Sequence, residues 1–385
     1  MERSYLIDFD KRLVPSPCFV VDEGAIERNL QILATVQDRT GCRILLALKG
    51  FAMPRVFPLI RQYLAGVCAS SPDEARLGRE EFQGEVHSHA PAFSKADLEV
   101  HLRCCDHLVF NSFQQWQRFQ PQLKACTKPP SCGLRVNPCH SETKVALYDP
   151  CSPGSRLGIP KDKFAGQSLQ GISGLHLHTL CEKGADALVR TAKVFEEQFQ
   201  EILPQMRWLN FGGGHLITAP GYDLDLLCEL INHFRTTYDL TIYLEPGEAI
   251  AINTGALVTT VLDVTENGGL IAILDTSVAC HMPDVLEMPY RPEIRNAAIP
   301  GKLPYTYRLG GVSCLAGDVL GTYSFAQPLQ PGDRLLIEDM SHYTMVKTNT
   351  FNGVRLPSIA LSREEDNGVE IVRQFGYEDY RCRLG

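Results

Sequence analysis

The chain has 385 residues, 45 acidic against 37 basic, and a formal charge of −8. That length accommodates two domains and a sizeable core, and the acidic balance argues against nucleic acid or an anionic membrane as partner while suiting a small cationic substrate. No apolar stretch approaches a membrane span, MERSYLIDFDKR lacks a signal-peptide core, and the 14 cysteines contain no Cys-x-x-Cys pair, so they read as small buried hydrophobes of a cytoplasmic protein rather than as a disulfide framework or zinc site.

The chain opens with an apolar run, CFVVD (18–22), and a helical pattern over 22–37. Eight short runs rich in β-formers then follow, each closed by turn residues: RILLALKG (43–50), GVCAS (66–70), EVHSHAPA (85–92), DHLVFNS (106–112), CGLRVNP (132–138), ISGLHLHT (172–179), RWLNFGGG (207–214) and TIYLEPGE (241–248). Between most of them, apolar residues recur at three- and four-residue spacing, which predicts helices over 54–64, 72–82, 185–203 and 222–238. Ser71-Pro72 is a strong helix start. Eight buried strands alternating with helices predict an α/β fold, a (β/α)8 barrel, with a doubly wound sheet as the alternative. The polar stretch 139–156 breaks the rhythm and reads as a lid over the site.

After about residue 252 the pattern changes. GALVTTVLDVTENGGLIAILDTSV (255–278) reads as two strands around an Asn-Gly-Gly turn, and later segments show little helical spacing. The predicted organisation is a barrel over 15–252 and an all-β domain over 253–385. Segment 1–14 joins the latter, and the strand near 18–22 is a further candidate for it.

A barrel carries its chemistry at the C-terminal ends of its strands. Lys49 ends the first run. It is either a surface charge or a lysine kept neutral by burial and able to form a Schiff base. Gly212, Gly213 and Gly214 follow the seventh strand, as a tight turn or as a backbone cradle for phosphate. His176 and His178 share a strand face, as do His87 and His89. No carboxylate or Cys sits at a matching metal spacing, so no metal is expected, and a strand-end His can instead stack on an aromatic ring. Glu245 ends the eighth strand, either as a surface charge or as a partner for a pyridine nitrogen. Cys314 and Asp318 lie in a glycine-flanked loop, where a Cys can donate a proton to a reacting carbon.

These residues, with Tyr343 and Phe351-Asn352-Gly353, stand in the order of a known group. The chain resembles the fold-type III pyridoxal-phosphate enzymes, the group of alanine racemase, ornithine decarboxylase and diaminopimelate decarboxylase. Within that group ALKGF, LHLHTLCEKG, NFGGGHLIT, LEPGEA, LDTSVACHMPDVLEMPYRP, GVSCLAGDV and TNTFNGV resemble the carboxynorspermidine/carboxyspermidine decarboxylases. Glu248 stands where ornithine and diaminopimelate decarboxylases usually carry Arg. Gly50-Phe51 follows the lysine where they carry Ala-Asn, and racemases place Arg against the pyridine nitrogen.

The resemblance implies an alanine racemase-like barrel and β domain binding pyridoxal 5′-phosphate. Lys49 would carry the cofactor, with His178 on its ring face and Glu245 on its ring nitrogen. Gly212, Gly213, Gly214 and Tyr343 would hold the phosphate, and Arg156 would steady the cofactor side of the site. Cys314, from a partner subunit of a homodimer, would return a proton to Cα. The implied substrate is a carboxylated polyamine, with Glu248, Asp284, Asp318 and His281 as candidates to meet its amines. The alternatives are a diaminopimelate or basic amino-acid decarboxylase of the same fold, a racemase, and a non-catalytic homologue that binds the cofactor.

Overall fold

The structure is a computed structural model and describes residues 9–143, 145–363 and 368–385. The chain forms two compact units, one of residues Arg28–Ile250 and one of the N-terminal residues up to Glu27 with Ala251–Gly385. The first strand, β1 (Cys18–Asp22), belongs to the second of these. It pairs antiparallel with Gly255–Glu266 and parallel with Ser358–Arg363. The expected start of the barrel at residue 15 therefore falls thirteen residues later, at Arg28, because the run CFVVD spends its backbone donors in the β sheet. The first eight residues of the segment 1–14 lie outside the described residues.

The Arg28–Ile250 unit is a ring of eight parallel strands. In chain order these are β2 (Arg43–Ala47), β3 (Gly66–Ala69), β4 (Glu85–His89), β5 (His107–Phe110), β6 (Ser131–Asn137), β8 (Gly174–His176), β9 (Trp208–Asn210) and β10 (Thr241–Leu244). A two-residue strand, β7 (Ile159–Pro160), rides on the end of β6. Pairing of β10 with β2 closes the ring, so the barrel and not the open sheet is the fold. Seven of the eight ring strands fall within the predicted runs, and β6 begins one residue before its run.

The helices Glu23–Thr40, Ala185–Phe199 and Leu224–Tyr238 match their patterns. The predicted 72–82 helix starts at Pro72, with Ser71 Oγ accepting from the Glu74 amide, but gives way to a wider turn over Gly78–Phe82. Two more helices, Lys95–Cys104 and Phe113–Ala125, follow β4 and β5. Each starts at a serine whose hydroxyl accepts from a backbone amide three residues on. Among the described residues no α-helix lies between β6 and β8; the polar segment 139–156 occupies that place.

Trp208 fills the N-terminal end of the barrel. Its indole N–H donates to Ser131 Oγ at 2.9 Å. It fits because β8 carries Gly174 at its side, where a Cβ would come within 2.0 Å of the indole. The opposite, C-terminal rim carries Lys49, His178 and Glu245.

The other unit is a mixed sheet. β11 (Gly255–Glu266) is its spine, pairing with β1, with β12 (Leu270–Leu274) across the predicted turn, and with β16 (Arg334–Glu338). β12 runs parallel to β14 (Tyr305–Gly310), which returns antiparallel into β15 (Val319–Phe325). Cys18, Val20, Ala256, Val258, Leu336 and Ala360 build one buried core of this sheet. The expected second domain of strands is borne out as a separate mixed sheet. Short helices at Val278–His281 and Pro283–Glu287 and a longer one at Tyr377–Leu384 accompany the strands.

Candidate active site

Glu245 follows β10 and is 7 % exposed. Its Oε1 accepts from Asn210 Nδ2 at 2.7 Å and its Oε2 from His176 Nε2 at 3.0 Å. Burial pushes the carboxyl up. The charge and hydrogen bond of His176, then His87 and Asn210, outweigh it and hold Glu245 well below the usual carboxylate range. Burial pushes His176 down. Glu245 is therefore a carboxylate that receives an N–H from His176. With Cys68 also lying against it, the carboxylate retains capacity for one further donor.

Lys49 lies two residues past β2, the strand paired with β10, and is exposed rather than buried. Of the two readings left open for this lysine, the structure shows the exposed one, because the rim at the end of β2 is open to solvent. Its charge acts on Cys68, Glu74, His176, His178 and Cys181, which places the ammonium among the groups of this rim. Cys68, on β3, lies against Glu245; burial and that carboxylate keep its thiol protonated.

His178, two residues beyond β8, is half-buried. Its Nδ1 accepts from the Gly213 amide at 2.8 Å, which leaves the proton on Nε2. Its carbonyl accepts from Arg135 Nη2 at 2.8 Å. Arg135 Nη1 stands 3.0 Å from His89 Nε2, and His89 Nδ1 donates to the Val109 carbonyl at 3.2 Å. Burial draws the Arg135 guanidinium down to about 10, and burial with the nearby cations Lys49 and Arg135 keeps His178 neutral. Sequence reasoning missed Arg135 and Asn210. A charge inside the apolar run CGLRVNP and an amide closing RWLN are the signals that could have marked them.

The glycine triplet is built for close approach. Gly212 and Gly214 have φ of 67° and 84°, and a Cβ would stand 2.5 Å from His178 Nδ1 on the first and 1.9 Å from the Leu180 carbonyl on the second. The Gly212 amide donates to Asn210 Oδ1 and the Gly213 amide to His178. Two of the three donors expected to face phosphate are thus committed within the barrel, and Gly214 is the remaining one. Glu248 is half-buried just past Glu245, and Arg156 is exposed, its carbonyl held by Asn111.

The remaining candidates belong to the β unit. Cys314 is exposed between β14 and β15, and its amide donates to Asn352 Oδ1 at 2.7 Å. Asp318 is 3 % exposed. Its Oδ1 accepts from the Val278 and Ala279 amides, and its Oδ2 from the Ser313 amide and hydroxyl. His281 is fully buried, with Nε2 donating to the Arg355 carbonyl and Nδ1 accepting from the Ser277 amide. In this structure both act as internal braces, His281 through backbone groups and Asp318 through backbone amides and the Ser313 hydroxyl. Asp284 differs: Oδ2 accepts from Tyr290 and Thr344, while its buried Oδ1 has no hydrogen-bond partner among the described residues. Tyr343 sits beside Thr344 with a left-handed φ of 46°. Among the described residues no group of three His, Cys, Asp or Glu side chains could hold a metal ion.

A family model described as the pyridoxal-dependent decarboxylase, C-terminal sheet domain matches residues 7–341. The chain belongs to the pyridoxal-dependent decarboxylases. Within the family it is 49% identical over 374 residues to a carboxyaminopropylagmatine decarboxylase of Synechocystis sp., covering 97% of this chain and 96% of that one. It is 41% identical to a carboxynorspermidine/carboxyspermidine decarboxylase of Campylobacter jejuni, over 96% and 98% of the two chains. The crystal structure of the C. jejuni carboxynorspermidine decarboxylase with norspermidine superposes with a TM-score of 0.89 at 40% identity, over 96% of this decarboxylase and 100% of that chain. No described helix is long and apolar enough to cross a membrane.

Proposed function

We propose that this decarboxylase removes the carboxyl group of a carboxylated polyamine, carboxynorspermidine or carboxyspermidine, with pyridoxal 5′-phosphate held at Lys49. The observation that carries the reading is Glu245, a buried carboxylate kept ionised beside the strand that presents Lys49. The residues fit the cofactor: an acceptor with capacity left for a ring N–H, an amine at the adjacent strand end, and an imidazole oriented by Gly213.

Bound cofactor supplies an electron sink for the pair left when the Cα–carboxylate bond breaks. Lys49 would hold the cofactor through its side-chain amine. Glu245 would accept from the ring N–H and so keep that nitrogen protonated, and His178, its ring fixed by Gly213 and its carbonyl by Arg135, would sit against the ring. Gly214, Tyr343 and Arg156 serve the phosphate side. Cys314 Sγ returns a proton to Cα. Glu248 and Asp284 meet the cationic amines, Asp284 through the oxygen without a partner. Cys314 lies between the exposed Val312 and Leu315, and its amide is held by the residue following the exposed Phe351. Such an apolar face favours a homodimer that covers it.

Carboxyaminopropylagmatine is the second reading, favoured by the 49% identity to the Synechocystis enzyme. The substrates differ at the end remote from the carboxyl, an ammonium in one and a guanidinium in the other. CO2 release from all three carboxylated amines and from diaminopimelate tests the proposal. A kcat/KM highest for carboxynorspermidine or carboxyspermidine is expected. A higher value for carboxyaminopropylagmatine selects the second reading, and faster turnover of diaminopimelate contradicts both.

A further inference from the structure

The helix Tyr377–Leu384 buries none of its residues, so packing into a core does not explain its place. Two contacts hold it to one short turn. Arg383 Nη1 donates to Thr350 Oγ1 at 2.6 Å. The Tyr380 ring covers Gly353, with Cζ 3.6 Å from the point where a Cβ would stand.

The turn between those contacts carries Asn352 in the left-handed region at φ 60°, a conformation Asn tolerates better than most residues. That backbone aims its carboxamide oxygen at the Cys314 amide. Asn349 supports the turn from the other side, accepting from the Phe351 amide and donating to the Ala279 carbonyl. Asp318 fixes Ser313, the residue before Cys314, through two hydrogen bonds. The thiol-bearing residue is thus clamped by Asp318 on one side and Asn352 on the other. Only the Asn352 side reaches a surface helix.

We propose that the helix Tyr377–Leu384 is a positioning element for Cys314: Arg383 and Tyr380 lock the 350–353 turn, and Asn352 transmits that order to the Cys314 backbone. The functional consequence rests on the reading of Cys314 as the proton donor. A donor held in place returns its proton to the substrate Cα and gives the amine. When it is displaced, the proton from solvent reaches the cofactor's own carbon instead. Hydrolysis, consuming one water, then gives an aldehyde from the substrate and the amino form of the cofactor.

Two readouts on Arg383→Met, Asn352→Ala and Cys314→Ser test this. The first is amide hydrogen exchange of residues 311–318 in the cofactor-free protein, with 334–338 as internal reference. Losing one hydrogen bond is expected to speed exchange of the loop about 2- to 10-fold in Arg383→Met and Asn352→Ala, with the reference segment unchanged. The second is the ratio of aldehyde to amine formed in the holoenzyme, expected to rise in both variants. Unchanged loop exchange in Arg383→Met overturns the role of the helix, whatever the product ratio. An unchanged product ratio in Cys314→Ser contradicts the donor reading alone and leaves the exchange result to decide the clamp.

Discussion

His176 Nε2 stands 3.0 Å from Glu245 Oε2, and both side chains are buried. The carboxylate can accept only from an N–H, so the His176 proton resides on Nε2. Glu245 lies below the usual carboxylate range, with burial opposed and overcome by His176. A carboxylate works above its own pKa, so removing the donor raises that pKa and narrows the working range from below. In His176→Leu the acid limb of kcat/KM is expected to move to higher pH, by one unit for each ~1.4 kcal/mol of interaction lost. A pH–rate profile with an unmoved acid limb would show that His176 does not tune Glu245.

Arg135 spans two acceptors, the Nε2 of His89 and the carbonyl of His178. A planar guanidinium reaches both at fixed geometry, and a single ammonium does not reproduce it. Arg135→Lys is expected to cost about 1–3 kcal/mol of stability and to lower kcat by more than it raises KM, because His178 is no longer held in position. Denaturant unfolding and steady-state kinetics check the two effects separately.

Asp318 is spent on four hydrogen bonds to the segments around Val278 and Ser313. Its removal therefore strands buried donors instead of weakening a substrate contact. Asp318→Ala is expected to lose at least about 1–3 kcal/mol of stability and to lower kcat with KM little changed. A raised KM with unaltered melting would restore it to the substrate site.

His215 and His281 are buried, and burial pushes each down to about 4. Their folded-state values lie below the unfolded value near 6.5, so the unfolded chain binds more protons between about pH 6.5 and 4. Stability is then fully present above 6.5 and falls as pH drops through that window, by at most about 1.4 kcal/mol per pH unit per histidine. Urea midpoints between pH 7 and 4.5 should fall accordingly, and His281→Gln, whose amide can still donate to the Arg355 carbonyl, should flatten the slope.

The barrel was legible because parallel strands buried on both faces read as short apolar runs, and eight of them leave one closed solution. The site was legible where a polar residue ended such a run: Lys49, His178 and Glu245 all lie at the rim. Inside a run the signal weakens. Arg135 and Asn210 hold other side chains in place, a role fixed by which strands become neighbours. Asp318 and His281 are the opposite case. Sequence shows a carboxylate and an imidazole near a family motif, while only the fold shows their hydrogen bonds going to neighbouring segments of the same unit. The boundary at 27 was obscured because β1 pairs with strands more than 230 residues away.

The covalent attachment of the cofactor is tested most directly by reducing the protein with borohydride after incubation with pyridoxal 5′-phosphate and mapping the modified peptide by mass spectrometry. The expected result is one stoichiometric adduct on Lys49, absent in Lys49→Ala together with the visible absorbance band. An adduct on another lysine, or none at saturating cofactor, would contradict the assignment of Lys49 and with it the proposed site.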